Sequence, residues 1–343
     1  MRDFNLFKKT LLILLITTLS LMWGCSAPSQ KSTAQIYALD TVIDITAYGE
    51  NSDEALKAAK DEIRRLEKLL SVTDSESDVY RINHADGEAV TVSHETYELI
   101  ERAVEISELT EGRFDVTIYN AVKLWGFTTG EYKVPTEEDI EKALGSAGSD
   151  KIHLQGDNTI IVDKGTQIDL GGIAKGYIGD KTVVAMTESG AEAGLLSLGG
   201  NVRTFGKKPR GENFVVGIRH PQESGHFAEL QANECAVITS GGYQRNFTEE
   251  GVNYHHIINP ETGKPSESDA LSVTVVGNDD TLCDALSTAI FIGGTEYAAQ
   301  LRSKYDSFEY LILTESDEVI ASSGLQGKAT LARGFENLKI EYR

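Results

Sequence analysis

The stretch Ile168–Asp180, IDLGGIAKGYIGD, decides how this chain is read. A β-like run, Ile160–Leu170, leads into it and a helix-like run, Ile173–Ser189, leads out. Gly171, Gly172, Lys175 and Gly176 lie where the two meet. A strand, a glycine turn and a helix in that order open many nucleotide-binding α/β folds, and Gly171 and Gly176 have the G-x-x-x-x-G spacing of a phosphate loop. The Lys-Ser/Thr pair that should follow is replaced by Tyr177 and Ile178, and G-x-G-x-x-G is not matched either. Elsewhere, strand-like segments come in runs and do not alternate one for one with helices. The expected fold is therefore α+β: mixed, mainly antiparallel sheets with packed helices, a single large domain with intimate subdomains. Within it the stretch is either a packing turn or a nucleotide site working by another route.

Working outward, Ile36–Tyr48 nearly alternates and reads as β. Ala55, Ala59, Ile63, Leu66 and Leu70 recur at helical spacing within Asp53–Leu70. Ser93–Leu109 reads as a helix capped by Ser93 and closed by Gly112, and TEED at Thr136 is a capping-box start. After Ser189 come short strands at Leu195–Leu198, Phe214–Ile218, Ala236–Thr239, His255–Ile258 and Leu271–Val276. Helices follow at Leu282–Ile292 and from Thr295, then a β-like tail, Tyr310–Tyr342.

The N-terminus is not part of that fold. Arg2, Lys8 and Lys9 precede the apolar run Leu11–Trp23, which is too short for a comfortable span and ends in LMWGC. We expect residues 1–24 to be a lipoprotein signal peptide, 25–34 a tether lipidated at Cys25, and 35–343 the functional domain. Ordinary cleavage and an uncleaved anchor are the alternatives. The product would be exported and lipid-anchored, on the outer face of the cell membrane or in the periplasm. The net charge of −21 disfavours nucleic acid as a partner. Cys235 and Cys283 sit in apolar contexts and read as buried free thiols, although export permits a disulfide.

Three further stretches combine glycines or polar groups with apolar surroundings. LSLGGNVRTFG, Leu196–Gly206, is either a tight hairpin or a backbone approach to a ligand. In YHHIINPETGKP, Tyr254–Pro265, successive strand residues face opposite ways, so at most one of His255 and His256 points into a given site. A histidine beside glycine loops is a candidate general base. In TLCDALSTAIF, Thr281–Phe291, Asp284 and Thr288 are i and i+4 on an otherwise apolar helix. A cap bond is one account of Asp284; a hard cation with oxygen ligands is the other.

Taken in order, these stretches resemble the ApbE-type FAD:protein FMN transferases. The matching segments are ALDTVIDITAYG, SVTDSESDVYRIN, GRFDVTI, LWGF, DLGGIAKGY, LSLGGNVRTFG, SGGYQRNF, HHIINPETGKP and CDALSTAIF. The resemblance implies an enzyme that cleaves FAD and transfers FMN to a threonine or serine hydroxyl of a target flavoprotein by a phosphoester bond, releasing AMP. It implies Mg2+, or Mn2+ in its place, and a membrane-associated redox acceptor with a Ser/Thr flavinylation motif. Asp284, Thr288 and the Gly172 carbonyl match the metal ligands, with Ser287 in the same motif. Asp169, Lys175, Phe114, Asp115 and Ile258 match FAD-contacting positions, and His256 matches the base. Leu39 and Thr73 stand at FAD positions where methionine and tyrosine are usual, and Asp40 stands where glycine is usual. A metal-dependent FAD pyrophosphatase and a non-catalytic flavin-binding lipoprotein are the competing functions.

Overall fold

The structure is a computed structural model that describes residues 30–343. The segment expected to be a signal peptide and Cys25 lie outside the described residues. Nine strands form one large sheet, and their order across it is their order along the chain: Lys31–Ala38, Thr41–Tyr48, Ala193–Leu198, Asn201–Phe205, Ala236–Gly241, Ala270–Gly277, Phe308–Thr314, Val319–Ala321 and Ile340–Tyr342. Neighbours are antiparallel except the last pair. Helical segments are inserted into this meander, which makes the molecule α+β as expected.

Beyond its first hairpin the sheet is buried on both faces, and strand alternation divides its side chains between two cores. Tyr310 and Ile312 join the larger core, while Leu311 and Leu313 face a smaller one under the three-stranded sheet Phe214–Arg219, His226–Ala232 and Ala329–Leu331. The larger core is closed by helices. The helices among the described residues are α1 (Ser52–Leu70), α2 (Asp78–Asn83), α3 (His94–Leu109), α4 (Tyr119–Leu124), α5 (Glu137–Leu144), α6 (Ala174–Glu188) and α7 (Asp280–Lys304); all but α4 and α5 bury residues in this core. Ala55, Ala59, Ile63, Leu66 and Leu70 form the buried stripe of α1. The Ser93 and Thr136 side chains accept from the Thr96 and Asp139 backbone N–H groups, which caps α3 and α5. A third cluster of Trp125, Phe127, Ile140 and Ile258 lies beside the hairpin Asn246–Glu249/Val252–His255. No helix among the described residues is long and apolar enough to cross a membrane, and both Cys235 and Cys283 are free thiols.

Four boundaries differ from expectation. The first strand begins at Lys31, so residues 31–34, expected in the tether, are already paired with Ile45–Tyr48. The β-like run at Ile160 ends at Val162, because the chain turns through Gly165 at φ 88°. The strand expected over His255–Ile258 stops at His255, and Ile258 makes only an isolated bridge to Pro265. The two C-terminal helices are one helical run, bent at Gly294 with φ 75° and ψ −172°, a conformation open to glycine alone.

Candidate active site

One cleft of about 1450 Å3 opens where the turns of the large sheet meet the starts of α6 and α7. It brings together Leu39, Thr73, Phe114, Asp115, Asp169, Gly172, Lys175, His256, Ile258, Asp284 and Thr288. Ser287 does not line it. Its hydroxyl instead donates to the Asp284 carbonyl at 2.8 Å and lies 2.7 Å from the Ser240 hydroxyl.

The opening stretch serves as a packing turn and also lines the cleft. The Gly171 N–H donates to Asp169 Oδ1 at 2.9 Å, turning the chain into α6. A Cβ on Gly176 would stand 2.2 Å from the Asp280 carbonyl oxygen and 2.9 Å from Asp284 Cβ. One on Gly179 would stand 2.8 Å from an Asp280 carboxylate oxygen. These two glycines are therefore the contact surface between α6 and α7. The close approach lets the Gly176 N–H, a first-turn donor without an intrahelical acceptor, donate to Asp284 Oδ2 at 2.9 Å. The positive end of α6 thus meets the carboxylate, which is 5 % exposed. Asp284 Oδ1 lies 3.9 Å from Lys175 Nζ. Thr288 follows one turn along α7.

The other walls come from loops. The Phe114 ring lies 3.2 Å from where a Gly172 side chain would begin. Asp115 accepts from the Thr117 N–H and hydroxyl at 2.8 and 2.6 Å. Burial pushes the carboxyls of both Asp115 and Asp169 above the usual carboxylate range. Leu39 and Asp40 form the turn of the first hairpin with φ of 54° and 56°, and Asp40 lies 3.6 Å from Arg245. Glycine would be easiest at such a position, and aspartate is among the side chains that tolerate it.

His255 and His256 do face different ways. His255 packs edge-on against Phe291 and contacts the Ser266 carbonyl at 3.0 Å. His256 faces the cleft and is half-buried, its Nδ1 3.2 Å from the Arg245 carbonyl. A carbonyl only accepts, so Nδ1 carries the proton and Nε2 is left as the basic atom. Burial, then the Arg245 guanidinium, pushes the imidazole pKa down to about 4.

Sequence reasoning missed the aromatic rim beside His256. Tyr132 stacks on Phe247 at 5.2 Å and 13°, Phe247 on Tyr254 at 5.3 Å, and Phe127 packs 5.8 Å from Phe247. The residues come from two separated segments, and although LWGF, SGGYQRNF and YHHIINPETGKP contain three of them, nothing local pairs the rings. Among the described residues no three His, Cys, Asp or Glu side chains converge as a metal cluster. A cation here would meet one carboxylate and neutral oxygens. That donor set fits a hard ion that takes its other ligands from water and substrate phosphates.

Comparison with known proteins places this chain in a family. The model of the ApbE family matches residues 39–312. The FAD:protein FMN transferase of Treponema pallidum is 31 % identical over 324 residues, covering 88 % of this chain and 89 % of the relative. One from Klebsiella pneumoniae is 33 % identical over 282 residues, 79 % of this chain and 86 % of the relative. The crystal structure of the ApbE protein of Thermotoga maritima superposes with a TM-score of 0.82 at 34 % identity, over 87 % of this chain and 99 % of that one. The flavin transferase ApbE of Vibrio cholerae gives 0.76 at 25 % identity, over 90 % and 99 %. The chain belongs to the ApbE family.

Proposed function

We propose that this protein is an FAD:protein FMN transferase that moves FMN from FAD to a threonine or serine hydroxyl of a redox flavoprotein. The observation that carries the reading is the meeting in one cleft of Asp284 and Thr288 on α7, the glycine turn that opens α6, and the basic face of His256. The acceptor Oγ attacks the FMN phosphorus, and the bond from that phosphorus to the bridging oxygen breaks. AMP leaves with the bond's electron pair, and the Oγ proton passes to His256 Nε2. Lys175 and the amides of the glycine turn suit an anionic diphosphate, against the grain of a chain whose net charge is −21. Asp284, Thr288 and the Gly172 carbonyl would hold Mg2+, or Mn2+, which when bound neutralises charge on the diphosphate. Asp169, Phe114, Asp115, Leu39, Thr73 and Ile258 would border the FAD. Export and lipidation at Cys25 would hold the enzyme on the membrane surface where such an acceptor resides.

The test is intact-mass measurement of an acceptor domain bearing the flavinylation motif, incubated with the chain, FAD and Mg2+. The acceptor gains the mass of the FMN phosphoryl group, and AMP appears in equal amount. Asp284→Ala abolishes the gain. An unchanged acceptor mass with FAD bound rejects the transferase reading, and AMP release without an acceptor marks a pyrophosphatase.

A further inference from the structure

The reaction as described makes no use of the hairpin Leu196–Gly206, although its turn walls the cleft through Gly199, Gly200 and Asn201. Gly199 and Gly200 turn with φ of 60° and 111°, and Asn201 begins the next strand. Asn201 is only 4 % exposed, yet its Nδ2 has no hydrogen-bond partner among the described residues. Native proteins rarely leave a buried amide donor unpaired, and an orphan that lines a cleft points to a ligand as its partner.

Strand register locates this donor along α7. Asn201 and Arg203 are two residues apart and share the helix-facing side of the sheet. Arg203 reaches Asp280 Oδ1 at 2.7 Å, so its strand position is level with the first turn of α7. On the neighbouring strand Ala236 pairs with Arg203 and Ile238 with Asn201. Two residues further on, Ser240 meets Ser287 at 2.7 Å. Hence α7 runs from Asp280 beside Arg203 to Ser287 beside Ser240. Asp284 lies four residues past Asp280, about 6 Å along the helix. Two strand residues cover about 6–7 Å. Asn201 is thus level with Asp284, the residue on which the transferase reading centres.

We propose that Asn201 is a catalytic residue, donating from Nδ2 to a non-bridging oxygen of the FAD diphosphate as the bond to AMP breaks. The inference rests on the transferase reading. A neutral donor suits this place: a carboxylate would repel both Asp284 and the phosphate. Negative charge that grows on the diphosphate oxygens strengthens a hydrogen bond from a fixed amide, which favours the transition state over the ground state.

Asn201→Ala and Asn201→Asp in the full chain test this, with transfer kinetics, binding of FAD and of phosphate-free riboflavin, and melting temperature without ligand. For Asn201→Ala we expect kcat/KM for transfer to fall about 100-fold. FAD binding should weaken about ten-fold and riboflavin binding stay unchanged. The ligand-free melting temperature should hold or rise, since truncation removes an unpaired buried donor. Asn201→Asp should transfer still more slowly. Wild-type transfer by Asn201→Ala overturns the inference while leaving the transferase reading intact. So does equal weakening of FAD and riboflavin, or a lowered melting temperature with unchanged kcat, since either shows an amide that only holds the wall. Failure of the unsubstituted chain to transfer FMN overturns the transferase reading, and the inference with it.

Discussion

The two ends of the cleft are built by opposite means. At the Asp284 end, α6 and α7 touch through glycine: Gly176 meets the Asp280 carbonyl and Asp284 Cβ, and Gly179 meets the Asp280 carboxylate. At the His256 end the walls are rings: Phe127, Tyr132, Phe247 and Tyr254, carried by a loop and by a two-stranded hairpin that pairs only with itself. Asp284 is 5 % exposed at its side chain, whereas Tyr132 is 46 % exposed. An anion contact fixed by the backbone of two buried helices has one geometry. A rim of stacked rings can slide and re-stack while an acceptor enters. The first end suits holding charge in place, the second suits admitting a protein segment.

The largest expected effect attacks the first end. In Gly176→Val, the new Cβ meets a backbone carbonyl and a Cβ, neither of which can swing aside, so α6 and α7 must part. The Gly176 N–H to Asp284 bond is lost with them. Overpacking of this kind costs about 1–3 kcal/mol of stability, and transfer should fall to the level of Asp284→Ala. A Gly176→Val protein with normal melting temperature and transfer would show that the helix contact does not position Asp284.

Next in size is His256, beside the aromatic rim of the second end. His256→Ala should slow transfer by about 100- to 10,000-fold and leave FAD binding unchanged, because Lys175 and the glycine turn are untouched. The pH dependence has a definite sign. Burial depresses the folded pKa to about 4 from the ordinary value of 6.5. His256 is therefore already neutral at pH 6, and the acid limb of transfer should lie near pH 4 to 5. The same depression means that the unfolded chain takes up this proton first. The resulting stability is fully present above pH 6.5 and is lost as the pH falls toward 4, a loss His256→Ala should lack. An acid limb at 6.5 in the unsubstituted enzyme would remove His256 from the buried environment described here.

Much of this was legible in the sequence, and the reason differs between the ends. Periodicity exposed α1, because its stripe is buried against a core, and the Ser93 cap and Gly112 stop exposed α3. The i, i+4 pair Asp284 and Thr288 was visible because a carboxylate on an apolar helix needs a partner. The doubt over IDLGGIAKGYIGD had a physical cause: Gly176 serves packing and the site at once, and one-dimensional spacing cannot separate the two. The aromatic rim was hidden because Phe127, Tyr132, Phe247 and Tyr254 are far apart along the chain and individually ordinary. Asn201 was quoted only as part of a turn. Its meaning depends on strand register against α7, which no local pattern carries. The tether was placed too long because Lys31, Ser32 and Thr33 are polar, and nothing local marks them as the start of an edge strand.

The smallest expected effect is at the rim, and it decides whether the two ends are independent. Tyr132 stacks on Phe247 and lies 5.7 Å from Phe127, so Tyr132→Ala removes ring contacts worth about 0.5–1.5 kcal/mol beyond their area. The hairpin then keeps its own hydrogen bonds but loses a lateral brace, and His256, tethered to the Arg245 carbonyl at its base, moves with it. A modest drop in melting temperature should accompany a raised KM for the acceptor. The Mg2+ concentration giving half-maximal transfer should not move, because Asp284 is held from the far side by Gly176. Tyr132→Phe, which keeps the stacked ring, should restore the acceptor KM. If Tyr132→Ala shifts the Mg2+ requirement as Gly176→Val does, rim and helix contact form one mechanical unit. If the acceptor KM moves alone, the charge-holding end is set by backbone and the admitting end by side chains.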